Sequence, residues 1–147
     1  MTPGGHLVTS ALAGGAVLAG TGSPELAGGL IVGGFLIDLD HVVDYLAFES
    51  RPSLRPTAFL RHYLGGRVRW TVLALHSYEL VAALIALAWL TNSVWLWGYV
   101  LGATLHLPLD IIFNGRYERG GNMVAFYSLI HRWRHGFRAD RLLDLCY

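Results

Sequence analysis

Three aspartates and one histidine lie close together in the chain, at Asp38, Asp40, His41 and Asp44. They end a glycine-rich apolar run that is typical of a membrane helix. Ionisable groups are costly at membrane depth, so their presence there indicates a functional site. On a helix Asp38 and His41 share a face, and Asp40 and Asp44 likewise share a face. Carboxylate oxygens beside an imidazole are ligands that zinc or manganese accepts.

A second pair of candidate ligands, His106 and Asp110, lies one helical turn apart in a later apolar stretch. Gly98 and Gly102 precede them at the same four-residue spacing, so small residues and ligands form one stripe on a helix. Metal sites in helical bundles are built from such inward-facing side chains. Pro108 lies between the two ligands and can kink this helix.

Two further apolar stretches carry His6 and His76, which we expect at the same depth in the membrane as Asp38 and His106. Counted from the outer ends of the predicted helices, these two histidines, Asp38 and His106 all lie at a depth of roughly 18 to 21 Å. We therefore predict one site for one or two divalent ions, with zinc favoured over manganese. Its predicted metal ligands are His6, Asp38, His41, His76, His106 and Asp110.

The expected chemistry is hydrolysis. A bound ion with an open coordination position lowers the pKa of water towards about 7 and supplies hydroxide at neutral pH. Asp38 or Asp40 is suited to bridge two such ions. Asp40 and Glu79 are predicted as the catalytic residues, each acting as general base or as an extra ligand. Asp44 is part of the site, a solvated helix end or the partner of an arginine.

Four apolar stretches must position these residues, at about 6–20, 26–48, 70–90 and 94–113. The chain is 54% hydrophobic and only 14% charged, whereas a soluble domain has about 25% charged residues. Small residues recur at every fourth position, which lets membrane helices pack closely. They are Ala11, Gly15 and Ala19, then Gly29 and Gly33, and finally Gly98 and Gly102. We predict an all-α, integral membrane four-helix bundle.

The arginines give the predicted orientation. All eleven basic residues are arginines, and they fall in two segments, 49–69 and 116–141, whereas the connections 21–24 and 91–93 carry no charge. With four crossings both basic segments lie on one side, which the positive-inside rule makes cytoplasmic. Both termini are then cytoplasmic, in the inner membrane of a bacterium or archaeon. The arginines are interpreted as this topology signal rather than as a phosphate clamp.

Residues 1–115 are predicted to form the membrane-embedded metal-site domain, and residues 116–147 a basic segment. Within the second, 126–135 is predicted as one interfacial helix on anionic lipid. His131 and His135 are assigned to that helix rather than to the metal, and His62 to the surface. The one cysteine, Cys146, excludes an internal disulfide. No positive charge precedes the first apolar stretch, so we expect a retained membrane segment rather than a signal peptide.

These motifs resemble those of the YdjM-like family of small bacterial inner-membrane proteins, which are predicted metal-dependent hydrolases. The resemblance covers residues 5–115 and implies a membrane hydrolase whose metal is held by the shared motifs. Here they are Gly5-His6, Asp38-Leu39-Asp40-His41, His76-Ser77 and His106-Leu107-Pro108-Leu109-Asp110, followed by Asn114-Gly115. The ligand order is also similar to that of the zinc-dependent phospholipase C and nuclease group, which cleave phosphodiesters.

The sequence thus predicts a membrane-embedded metal-dependent hydrolase acting on a lipid-borne ester or phosphoester at the cytoplasmic face. A metal-ion carrier or channel ranks lower, because the polar groups occupy only one half of the predicted membrane span. A third alternative is a non-enzymatic module with a structural metal, whose basic loop and tail dock partners or anionic lipid. Nucleic-acid binding is not expected, because membrane helices separate the arginines. The glycine-lined helix faces permit a homodimer.

Overall fold

The computed structural model describes residues 2–114 and 122–143, except for the side chains of Leu64 and Asn114. Gly115, Arg116, Arg119 and Cys146, which the sequence analysis uses, lie outside the described residues. Regular structure in the described part is entirely helical, which confirms the predicted all-α class. The elements are α1 Pro3–Thr21, α2 Pro24–Phe35, a 3-10 turn Leu36–Asp38, α3 Leu39–Phe48, α4 Pro56–Leu64, α5 Tyr78–Thr91, α6 Val94–Asn114, α7 Met123–Phe126, α8 Leu129–Arg134 and α9 Ala139–Leu142.

Helices α2 and α6 form the central pair, with α1 packed on α2 and α5 packed on α6. Glycine allows the central pair to approach closely. A Cβ atom at Gly29 or Gly33 would collide with the backbone of α6, and one at Gly98 or Gly102 with the backbone of α2. The predicted small-residue packing of these two helices is therefore confirmed.

On α1 the predicted stripe is wrong. Ala11, Gly15 and Ala19 are exposed, and a Cβ atom added at Gly15 would meet nothing. The buried face of α1 consists of His6, Ser10 and Gly14. Small residues cover most of this helix, so their spacing alone does not identify the packed face. The buried face is the one that carries the polar side chains.

Within residues 2–114 and 122–143, two helical stretches are long and apolar enough to cross a membrane, Pro24–Phe48 and Val94–Phe113. The first is interrupted by the 3-10 turn at Leu36–Asp38, so the single helix predicted at 26–48 is wrong in that detail. The helix predicted at 70–90 begins only at Tyr78 and has 14 residues, or about 21 Å. Residues 70–77 form a loop instead. Both departures fall at predicted site residues.

The C-terminal segment does not form the single interfacial helix predicted at 126–135. It forms two short helices, α7 and α8, around a buried Phe126-Tyr127 pair. These two aromatic residues share a hydrophobic core with Leu73 of the 70–77 loop and Leu107 of α6. The exposed side of α8 carries Trp133. The segment therefore packs against the loop that precedes α5.

Candidate metal centre

Imidazole and carboxylate groups meet at one end of the bundle. They come from α1, the 3-10 turn, α3, the 70–77 loop and α6. Two groups of ligand atoms occur there, and within each group the atoms lie within 4.8 Å of one another. The first group is His6, Asp38, His106 and Asp110, and the second is Asp38, His41 and His76. The structure thus brings together all six predicted ligands, and Asp38 belongs to both groups.

The spacing of the ligand atoms fits a small divalent ion. His106 Nε2 lies 3.4 Å from Asp38 Oδ1 and 3.3 Å from Asp110 Oδ2. His76 Nε2 lies 3.4 Å from the same Asp38 oxygen. Ligands at about 2.0–2.1 Å from a tetrahedral zinc ion would be about 3.3 Å apart. The buried His/Asp group could therefore hold a metal ion.

Hydrogen bonds behind the rings orient two of the imidazoles. His106 Nδ1 lies 2.8 Å from the carbonyl oxygen of Gly34, and His76 Nδ1 lies 2.9 Å from Asp40 Oδ1. A carbonyl or ionised carboxylate only accepts, so both Nδ1 atoms carry the proton and donate it. Both Nε2 atoms then direct lone pairs into the cluster, where they are 3.1 Å apart.

With neutral imidazoles the donor set is short of positive charge, because two lone pairs and the Asp38 carboxylate converge with no proton between them. Such an arrangement is repulsive at low dielectric unless a cation or an added proton lies among the three groups. This is the arrangement that a metal ion stabilises, and the Nδ1 hydrogen bonds are the orienting contacts that metal-bound histidines make.

His6 closes the cluster on the side of α1. Its Nε2 lies 2.9 Å from Asp110 Oδ1, and its ring stacks on His106 with centroids 3.8 Å apart. Its Nδ1 is buried and has no hydrogen-bond partner among the described residues. These contacts with Asp110 and His106 hold the N-terminal end of α1 against α6.

One side of the cluster is open. The side chains of His6 and Asp110 are 1% and 4% exposed, whereas those of His41 and Asp38 are 25% and 22% exposed. His41 Nε2 lies 3.7 Å from Asp38 Oδ1. Water or a substrate can therefore reach the cluster from the side of the 3-10 turn and the start of α3.

Asp40 lies behind the cluster rather than at its open side. Its Oδ2 accepts hydrogen bonds from the backbone N–H groups of Leu75 and His76 at 2.9 and 3.2 Å, while its carboxylate also receives the His76 Nδ1–H. Asp44, whose role was left open, accepts from the N–H groups of Val72 and Leu73 at 2.6 and 2.9 Å. Both aspartates hold the 70–77 loop to α3.

Arg132 holds the same loop from the other side. Its guanidinium is fully buried and donates to the carbonyl oxygens of Leu73 at 2.8 Å, His76 at 3.0 Å and Phe126 at 2.9 Å. Burial lowers the pKa of Arg132, and the carboxylates of Asp40 and Glu79 oppose that shift. This role of Arg132 is not evident from the sequence, because Arg132 looks like one of several arginines on a basic helix.

Glu79 lies away from the cluster. Its carboxylate accepts from the Ser128 hydroxyl at 2.6 Å and from the N–H groups of Leu129 and Ile130 at 2.8 and 3.1 Å. It thereby satisfies the N-terminal N–H groups of α8. This placement argues against the predicted catalytic role and indicates that Glu79 positions α8.

Helix α4 supports His41 from outside. The Tyr63 hydroxyl donates to the His41 carbonyl oxygen at 2.8 Å, and the two rings meet edge to face at 4.9 Å. Burial, together with the negative charges of Asp44 and Asp40, raises the pKa of Tyr63, so its hydroxyl stays a donor.

The remaining histidines lie outside the cluster. His62 contacts Glu49 at 3.3 Å, and His131 and His135 contact each other.

Comparison with family models, with curated proteins and with solved structures finds no match. The resemblance to the YdjM-like family therefore stays a prediction. The geometry of the cluster is the basis for the function inferred below.

Proposed function

We propose that the protein is a membrane-embedded, metal-dependent hydrolase that acts on a lipid-borne ester or phosphoester. The observation that carries the proposal is the cluster itself, with oriented imidazoles and one side open at Asp38 and His41. A site for a purely structural ion is closed on all sides, whereas a catalytic site keeps one position open. Zinc is favoured, because histidine nitrogens and carboxylate oxygens make up the whole donor set.

The proposal assigns each residue of the cluster a role in binding or orienting the metal. His6, His106 and Asp110 would hold one ion and His41 and His76 a second, with Asp38 shared. A bound divalent ion supplies activated water and stabilises negative charge on the reacting oxygens. Asp40 would keep His76 Nε2 directed at its ion, and the Gly34 carbonyl would keep His106 Nε2 directed at the other. The open side lets the substrate approach beside Asp38.

The membrane location rests on two further observations. The described residues include two stretches long and apolar enough to cross a bilayer, and many large apolar side chains are exposed on α1, α5 and α6. In the proposed topology α1 and α5 complete a four-helix bundle, with both termini and the metal centre at the cytoplasmic face. A substrate carried by a lipid would reach this depth by diffusion in the leaflet.

The first experiment measures metals in the full-length protein purified in detergent, by mass spectrometry, beside His106→Ala and His131→Ala. We expect one or two equivalents of zinc or manganese in the unchanged protein and in the matched control His131→Ala, and loss in His106→Ala. Chelation should then lower the melting temperature of the unchanged protein but not of His106→Ala, because ligand binding stabilises the folded state. Full metal content in His106→Ala would overturn the site.

Metal content is then compared with activity. A panel of lipid phosphomonoesters, phosphodiesters and carboxylic esters in mixed micelles should yield a hydrolysed product that chelation abolishes and added zinc restores. Bound metal without hydrolysis of any of these lipids would favour the module with a structural ion. Metal-dependent uptake into liposomes would favour the carrier.

A further inference from the structure

A second polar feature is formed by residues of α3, α4 and the loops that flank α4. It is a cavity of about 500 Å³ whose lining includes Arg51, Arg61, Arg67 and Arg69. None of these four guanidinium groups makes a hydrogen bond or an ion pair with the described residues, whereas Arg132 and Arg138 do. We call this cavity the arginine cleft.

The charges in the arginine cleft are not balanced. Its one acidic residue is Glu49, and that carboxylate is already engaged by His62 at 3.3 Å and by the Ser50 N–H at 3.0 Å. With neutral histidine the lining carries four positive charges and one negative charge. All four arginines are exposed, so water and salt screen their mutual repulsion, and the positive potential that remains attracts an anion.

The positive-inside rule does not explain this convergence. That rule requires arginines in the 49–69 loop, and it is indifferent to where their side chains face. Arg55 of the same loop meets the rule and does not line the cleft. The four other arginines of the loop all do, so the folded loop gathers them around one space.

The position of the arginine cleft relates it to the metal centre. Tyr45 lines the cleft and lies one helical turn beyond His41 on α3, a rise of about 6 Å. An adjoining cavity is lined by Asp44 and Tyr63, and the Tyr63 hydroxyl donates to the His41 carbonyl. The cleft is therefore connected to the cluster through α3 and Tyr63, although none of the six candidate ligands lines it.

We propose that the arginine cleft is a binding site for a phosphate group, carried by a lipid headgroup or free in solution. The planar guanidinium matches phosphate oxygens with two parallel hydrogen bonds, which makes arginine the preferred residue for such groups. Binding in the cleft does not require the metal, so this proposal can fail while the hydrolase stands, and the reverse also holds.

The test uses the full-length protein in detergent, treated with chelator, and isothermal titration at constant ionic strength. The probes are short-chain phosphatidic acid, inorganic phosphate and short-chain phosphatidylcholine. The variants are Arg61→Gln/Arg67→Gln and, as a matched control, Arg55→Gln/Arg134→Gln, which also removes two exposed arginines. These side chains have no partners to lose, so all proteins should keep the same melting temperature.

We expect phosphatidic acid to bind the unchanged protein and the control within about twofold of each other, and the cleft variant at least about tenfold more weakly. Equal binding of inorganic phosphate would identify the phosphate group itself as the ligand, and binding of phosphatidic acid alone would identify the lipid. Absence of binding to the unchanged protein overturns the proposal, and so does an equal loss in the control.

Discussion

At the scale of single residues, the decisive contacts are those behind the imidazoles. Gly34 and Asp40 accept the Nδ1 protons of His106 and His76, and this choice turns both Nε2 lone pairs towards Asp38. The two Nε2 atoms lie 3.1 Å apart, and this pair could hold a cation or share a proton.

Asp40→Asn tests this orientation. The change removes the negative charge that accepts the His76 proton while it keeps the size of the side chain. Loss of such an orienting contact lowers metal affinity about 10–100-fold. Competition with a chromogenic chelator measures the affinity. Asp140→Asn, an aspartate whose side-chain partner is the exposed Arg138, should leave it unchanged, and an equal loss there would contradict the prediction.

At the scale of elements, the cluster depends on interruptions of regular structure. The helix from Pro24 stops at Phe35, and the 3-10 turn that follows presents Asp38. The 70–77 loop presents His76, and its backbone groups are bound on one side by Asp40 and Asp44 and on the other by Arg132. The C-terminal segment thus helps to build the metal centre.

Arg132→Gln tests that contribution. The variant leaves carbonyl oxygens of the loop buried without their donor, which costs about 3 kcal/mol or more. We expect a lower melting temperature and a reduced metal content. Arg134→Gln, an exposed arginine on the same helix, is the control. Unchanged metal content in Arg132→Gln would show that the loop keeps its shape without the Arg132 guanidinium.

Gly33→Ala tests the contact between the central helices. The added Cβ atom would meet the backbone of Tyr99, and such overpacking costs about 1–3 kcal/mol. Gly28→Ala on the same helix meets nothing and should be neutral or stabilising, because alanine is the better helix former. Thermal unfolding in detergent compares the two. A similar melting temperature for both variants would contradict the packing described for α2 and α6.

At the scale of the whole molecule, the distribution of apolar surface indicates the surroundings. Leu12 is 70% exposed, Trp89 73% and Leu90 78%. Apolar patches of this extent mark contact with a membrane or a partner. Helix α5 leaves most of its apolar surface uncovered, and on its own it is shorter than a bilayer core. In the proposed bundle it would lie tilted or in a locally thinned leaflet.

Cysteine labelling tests the orientation. In a Cys146→Ser background, Thr91→Cys places a thiol at the C-terminal end of α5, and Thr57→Cys places one on α4. A membrane-impermeant maleimide should label Thr91→Cys in intact cells, and Thr57→Cys only after permeabilisation. The opposite pattern would put the metal centre on the outer face, and labelling of both would argue against the four-crossing topology.

Local sequence patterns predict the all-α class and the convergence of histidine and aspartate side chains at one end of the bundle. Period, composition and charge carry that information locally: His106 and Asp110 share a face of any helix, and glycines at Gly29 and Gly33 permit close approach wherever they occur. The predicted packing face of α1 was wrong because small residues cover several faces of this helix.

Tertiary contacts determine which carboxylates face the cluster and which bind the backbone of the 70–77 loop. Asp38 and Asp40 are two residues apart, yet the 3-10 turn sends one to the ligands and the other to the backbone of the 70–77 loop. The roles of Glu79 and Arg132 depend on contacts with residues about 50 positions away. No local pattern encodes such contacts, because they exist only after the C-terminal segment has packed on the bundle.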